Sequence, residues 1–89
     1  MLAIRRQKSF LKDLSKIKMT DKHYAKYITF LAKLINNEVL PPEAKDHSLT
    51  GEWKDTREFH ISGDLLVIYM IMDAELILIR IGSHSQLFN

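Results

Sequence analysis

Three of the chain's four histidines, His47, His60 and His84, fall in its second half, each beside a turn or the expected end of a strand. Glu58, Asp64, Arg57 and Arg80 lie among them in sequence. An imidazole exchanges a proton near neutral pH, a carboxylate takes or orients one, and a guanidinium grips phosphate oxygens. Together these types suit a phosphate ester. Cleaving RNA without a metal needs a base for the 2′-hydroxyl proton, an acid for the leaving 5′ oxygen, and cations for the charged phosphorane. His47, His60 and His84 are candidates for the two proton transfers, in an order the sequence leaves open. Glu58 or Asp64 is a candidate base, or the partner that orients an imidazole, and Arg80 is the candidate cation.

Plainer roles compete for each residue. His47 can anchor its loop, His60 can bond to backbone at a strand end, and His84 can be simply exposed. Arg57 can serve in a structural ion pair, Trp53 and Phe88 can cover an edge of the core, and His23 reads as surface. A set of His47, His60, Asp64 and His84 offers four metal donors, but its spacing matches no zinc motif, so no metal or other cofactor is expected. The chain has no cysteine, which excludes a thiolate nucleophile and a disulfide framework. It has no glycine-rich phosphate loop, no serine-nucleophile motif and no HExxH.

The elements that must position these residues follow from periodicity. Leu2-Ala3-Ile4-Arg5 alternates as a short first strand. Phe10, Leu14 and Ile17 keep helical spacing, with Ser9 as the expected N-cap. Thr20 or Asp21 is expected to cap a second helix, whose apolar face holds Tyr24, Ile28, Leu31 and Ile35. Asn36-Asn37 and Pro41-Pro42 stop it. So short a link makes the helices an antiparallel hairpin. Residues 38–52 form the longest irregular segment and carry His47. Strands are expected over 52–61, 65–72 and 76–83, separated by Ser62-Gly63-Asp64 and Asp73-Ala74-Glu75. The order β-α-α-β-β-β predicts one α+β domain over residues 1–89, with a helical hairpin packed on a mostly antiparallel four-stranded sheet.

Side chains two apart on a strand share a face. Thr56, Glu58 and His60 therefore fall together, opposite Arg57 and Phe59. On the last strand Ile77, Ile79 and Ile81 are expected to meet the helices, leaving Leu78, Arg80, Gly82 and His84 on the open face. Charge is divided unevenly along the chain. Residues 1–37 hold nine Lys/Arg against two acids, and residues 38–89 hold four against nine. A basic helical half fits a polyanion, or else a solvated lysine-rich face. The longest apolar run, 65–72, is far short of the roughly 20 residues of a membrane helix. No membrane contact is expected, and with cysteine absent a cytoplasmic location is.

Three stretches carry a family resemblance. They are Lys45-Asp46-His47-Ser48-Leu49-Thr50-Gly51-Glu52-Trp53-Lys54, then Arg57-Glu58-Phe59-His60 with Asp64 and Tyr69, and Gly82-Ser83-His84-Ser85-Gln86-Leu87-Phe88. Over essentially its whole length the chain resembles the YafQ-type toxins of the RelE/ParE superfamily of type II toxin–antitoxin systems. The resemblance implies that fold and a ribosome-dependent mRNA endonuclease held inactive by a cognate antitoxin. It maps the motif histidines to His47, His60 and His84, the motif aspartate to Asp64, and a base-stacking aromatic to Phe88. Lys54 and Arg57, in the same motifs, are candidates for substrate binding, and lysines of both helices for docking on ribosomal RNA. Leu65 stands where the type member has tryptophan, which bears on codon preference. The alternative within the superfamily is a non-catalytic toxin that poisons gyrase by binding.

Overall fold

Strands β1 (Ala3–Arg6), β2 (His47–Ser48), β3 (Arg57–Ser62), β4 (Leu65–Met72) and β5 (Glu75–Gly82) form one sheet in the order β1-β5-β4-β3-β2. The computed structural model describes residues 1–88, so Asn89, the last residue of the expected domain, lies outside the described residues. Helices α1 (Lys8–Leu14) and α2 (Asp21–Ile35) follow β1, and a short α3 (His84–Phe88) follows β5. The expected α+β class holds, with five strands rather than four. The added strand is the two-residue β2, which pairs His47 with Glu58. β1 runs parallel to β5, as a crossover through two helices allows, and the other pairs are antiparallel.

The helices cover one sheet face. Phe10, Tyr27, Phe30, Leu31 and Leu34 pack there on Phe59, Ile61, Val67, Tyr69, Leu76, Leu78 and Ile81. Thr20 caps α2 as expected, its hydroxyl accepting the His23 N–H at 3.1 Å. Ser9 does not cap α1. It lies inside the helix, and its hydroxyl donates to the Ile79 carbonyl at 2.7 Å. Asp13, one turn on, accepts the Ile81 N–H at 3.1 Å. β1 pairs only as far as Leu78, so these two α1 side chains satisfy edge groups of β5 that no strand reaches.

The other face is covered only in part. Leu66, Ile68 and Leu87 form a second cluster with Leu49, Trp53 and Ile79 packed against it. Glu58 and His60 lie on this side, as their alternation with Phe59 and Ile61 predicts. The expectation for β5 fails for Ile77, Leu78 and Ile79, and a single residue causes it. Ile68 pairs with Arg80 and Tyr69 with Leu78, so Ile79 is an extra residue in a bulge. Leu76, Leu78 and Ile81 therefore meet the helices in place of the Ile77, Ile79, Ile81 triplet.

Candidate active site

Four side chains converge where β2, β3 and α3 meet. The Glu58 side chain is only 4% exposed, and its Oε1 lies 3.0 Å from His47 Nε2 and 3.6 Å from His60 Nε2. Its Oε2 is buried with no hydrogen-bond partner among the described residues. The His60 and His84 rings lie 5.6 Å apart, and Phe88 sits 5.6 Å beyond His84, with Trp53 edge-on to it at 5.9 Å. A row of rings thus runs from β3 to the end of α3.

Each member is held by an identifiable device. Lys45 adopts a left-handed backbone (φ 49°), and its carbonyl lies 2.7 Å from His47 Nδ1. A carbonyl can only accept, so Nδ1 carries the proton and Nε2 is the nitrogen turned to Glu58. Both ring nitrogens of His47 are engaged. The preceding residue fixes that turn, because Asp46 Oδ1 accepts from the Tyr69 hydroxyl at 2.6 Å and from Arg57 Nε at 3.1 Å. Burial, and then the bond to Asp46, push the Tyr69 phenol well above its ordinary value.

His84 opens α3. Ser83 and Gln86 cap that helix reciprocally: Gln86 Oε1 accepts the Ser83 N–H at 2.9 Å, and Ser83 Oγ accepts the Gln86 N–H at 3.3 Å. Asp64, in the β3–β4 turn, accepts the His84 backbone N–H at 3.2 Å and lies 3.7 Å from its Nδ1. It thereby tethers α3 to the hairpin.

The sequence candidates sort into three groups. His47, Glu58, His60, His84 and Phe88 come together, with Asp64 joined through His84. Arg57 is turned to Asp46, which is the ion-pair role weighed for it. Lys54 is exposed after the turn Gly51–Trp53, with no acidic partner among the described residues. Arg80 shares a cross-strand row with Ile68 and Glu58, roughly 10 Å of sheet from the latter. Its guanidinium is held by Asp13, at 2.6 Å from Nε and 3.0 Å from NH2, and these bonds push it further above its ordinary value. The metal set also changes membership. Glu58, His60 and His84 present donor atoms within 4.8 Å of one another, while Asp64 and His47 fall outside that group. Sequence reasoning missed Asp13, whose role no local pattern marks, and the Ser83-x-x-Gln86 capping box, which was there to be read.

The histidines stand on an open surface. A cleft of about 590 Å³ lies to one side, lined by Asp46, Arg57 and Tyr69 and by none of the three histidines. An exposed imidazole, His84, and a half-buried one, His60, beside a buried carboxylate on a partly covered sheet face make a proton-transfer site that a long polymer can lie across. The chain belongs to the YafQ toxin family: the family model for YafQ, a bacterial toxin of the type II toxin–antitoxin system, matches residues 2–89. An Escherichia coli K12 protein named mRNA interferase toxin YafQ is 42% identical over 69 residues, covering 76% of this chain and 73% of that one. Among solved structures, a copper-bound mutant toxin from Helicobacter pylori superposes with a TM-score of 0.86 at 42% identity, covering 99% of this chain and all of the other. The E. coli DinJ-YafQ complex gives 0.85 at 33% identity, with both chains covered in full.

Proposed function

We propose that this toxin is a ribosome-dependent, metal-independent mRNA endonuclease, acting in the cytoplasm and neutralised by a cognate antitoxin. The observation that carries the chemistry is the division of labour around Glu58. A carboxylate this buried cannot reach RNA directly, and His47 has its Nδ1 on the Lys45 carbonyl and its Nε2 turned to Glu58 at 3.0 Å rather than to the other imidazoles. Proton transfer therefore falls to His60 and His84, and His47 orients Glu58.

His60 takes the 2′-hydroxyl proton as its imidazolium is stabilised by Glu58, the same logic by which a buried aspartate supports a catalytic histidine. The 2′ oxygen attacks phosphorus, and the phosphorane collapses as the 5′ oxygen leaves with a proton from the more exposed His84. The products are a 2′,3′-cyclic phosphate and a 5′-hydroxyl. Arg80, its fork oriented by Asp13, supplies positive charge to the phosphorane, and Phe88 stacks on a base. The names of the relatives, an mRNA interferase and a toxin solved with DinJ, support the substrate and the antitoxin.

A second reading rests on the compact donor set. Glu58, His60 and His84 fit one transition ion, and the orphaned Glu58 Oε2 leaves that carboxylate free to ligate. The copper-bound relative supports it. A bound ion would supply a Lewis acid and an activated water. Purified protein, His60→Ala and His84→Ala, incubated with a defined mRNA with and without ribosomes in EDTA, with Mg²⁺ in excess of the chelator so that the ribosome stays assembled, separates the readings. Cutting by the parent alone in EDTA supports proton transfer by the two imidazoles. Loss of all cutting in EDTA supports the metal, and growth arrest without cutting in any condition returns the binding toxin.

A further inference from the structure

The structure divides the helical lysines that the sequence offered together. On α2, Lys26 pairs with Glu43 at 2.8 Å and Lys33 with Glu38 at 3.8 Å. On α1 and the turn after it, Lys8, Lys12, Lys16 and Lys18 have no acidic partner among the described residues. The one acid of α1, Asp13, spends both carboxylate oxygens on Arg80 and the Ile81 N–H. Unspent positive charge is thus densest on α1, the helix lying along the outer edge of β5, and Lys22 at the start of α2 is the one other helical lysine without an acidic partner among the described residues.

That edge adjoins the active site. Asp13, Lys16 and Arg80 line two clefts of about 240 and 340 Å³; Gln86 of α3 enters the first and Lys12 the second. Gln86 stands two residues from His84 and caps its helix. Arg80 connects the two regions, since it shares a sheet row with Glu58 while its guanidinium turns toward α1. With Asp13 holding the Nε and NH2 positions, NH1 stays free for a phosphate. A strand cut between His60 and His84 is thereby led past Arg80 onto α1.

We propose that Lys12 and Lys16 bind backbone phosphates of the RNA strand that is cut, beside the scissile position and continuous with Arg80. This rests on the nuclease reading and adds to it a direction for the strand. Contacts of this kind position the substrate without reading its bases.

The test uses a short single-stranded oligoribonucleotide with 2′-deoxyribose throughout its cleavable positions, and fluorescence anisotropy across a salt series. One variant pair is Lys12→Ala with Lys16→Ala; the other, of equal charge change, is Lys22→Ala with Lys33→Ala on α2. Each lost phosphate contact on a single strand removes about 0.7 from the salt slope, or roughly fivefold in affinity near 0.1 M salt. The α1 pair is expected to bind roughly 25-fold more weakly, with a slope smaller by about 1.4, and the α2 pair as the parent does. Binding to ribosomes without mRNA forms the other arm. Equal weakening by both pairs, a loss confined to ribosomes, or no oligonucleotide binding by the parent overturns the proposal. Lysine-dependent binding by a parent that never cuts RNA would instead remove the nuclease reading and leave the phosphate site standing.

Discussion

Replacing Glu58 by methionine should make this protein more stable and inactive. Glu58 has one carboxylate oxygen without a partner and is 3% exposed, so folding strips it of water with incomplete return. An unsatisfied buried acceptor costs on the order of 1–3 kcal/mol. Against this stands the 3.0 Å contact to His47, whose side chain is half exposed, so solvent screening holds that pair to about 1 kcal/mol. Methionine has a similar length and brings an apolar chain beside Ile68, its cross-strand neighbour in the second core cluster. The balance favours the variant by about 1 kcal/mol, in line with buried charges replaced by hydrophobic residues. For a domain of this size that raises the melting temperature by roughly 4–8 °C. Cleavage should fall by up to about 10⁴, the order of loss when the carboxylate behind a catalytic histidine is replaced. Thermal melts and single-turnover cleavage on the same preparations check both. A variant that melts lower and still cuts would show that Glu58 is a structural residue and refute the division of labour drawn from its burial.

Other consequences follow from named contacts. Tyr69→Phe removes one hydrogen bond to a carboxylate and should cost about 1.5 kcal/mol by chemical denaturation, with Arg57 still on Asp46. Because the folded phenol is raised above its ordinary 10.0, its contribution is complete below that pH and drains away as pH rises past it. Stability of the parent should therefore fall more steeply above pH 10.0 than that of the phenylalanine variant, and parallel curves would remove Tyr69 as the cause. Gly82→Ala sets a Cβ 2.8 Å from Gln86 Oε1, so Gln86 must leave the Ser83 N–H; the cap loss of about 1 kcal/mol should free α3 and lower cleavage, read by proteolysis and turnover together. His47→Gln should keep more activity than His60→Ala or His84→Ala, since His47 only orients, and equal losses in all three would contradict that ranking.

Where local signals acted alone, the sequence was legible. Thr20 marked the start of α2, and alternation around Phe59 placed Glu58 and His60 on the face away from the helices. Signals that depend on a distant partner were not. Ser9 looked like a cap because a serine before an apolar run usually is one, yet its hydroxyl answers an unpaired carbonyl seventy residues away, at Ile79. Strand parity misplaced Ile77, Leu78 and Ile79 because one bulge residue reverses every face before it. The helix expected through Ile17 ends at Leu14, where Ser15 Oγ bonds back to the Lys12 carbonyl. The strand expected from residue 52 begins at Arg57, because Gly51–Trp53 forms a 3-10 turn and Asp55 is left-handed (φ 72°). The three histidines were visible by type. Their roles emerged only with the Lys45 carbonyl and the buried Glu58 in place.

The central claim is that the RNA's own 2′-hydroxyl is the nucleophile, driven by proton transfer through His60 and His84. Its most direct test is cleavage on the ribosome, in EDTA with Mg²⁺ in excess of the chelator, of an mRNA in which the scissile nucleotide alone is 2′-deoxy, beside the all-ribose mRNA. Cutting of the all-ribose strand to a 2′,3′-cyclic phosphate, and none of the substituted strand, is the expected result. Cutting of the deoxy strand, or fragments ending in a 3′-hydroxyl, would contradict it.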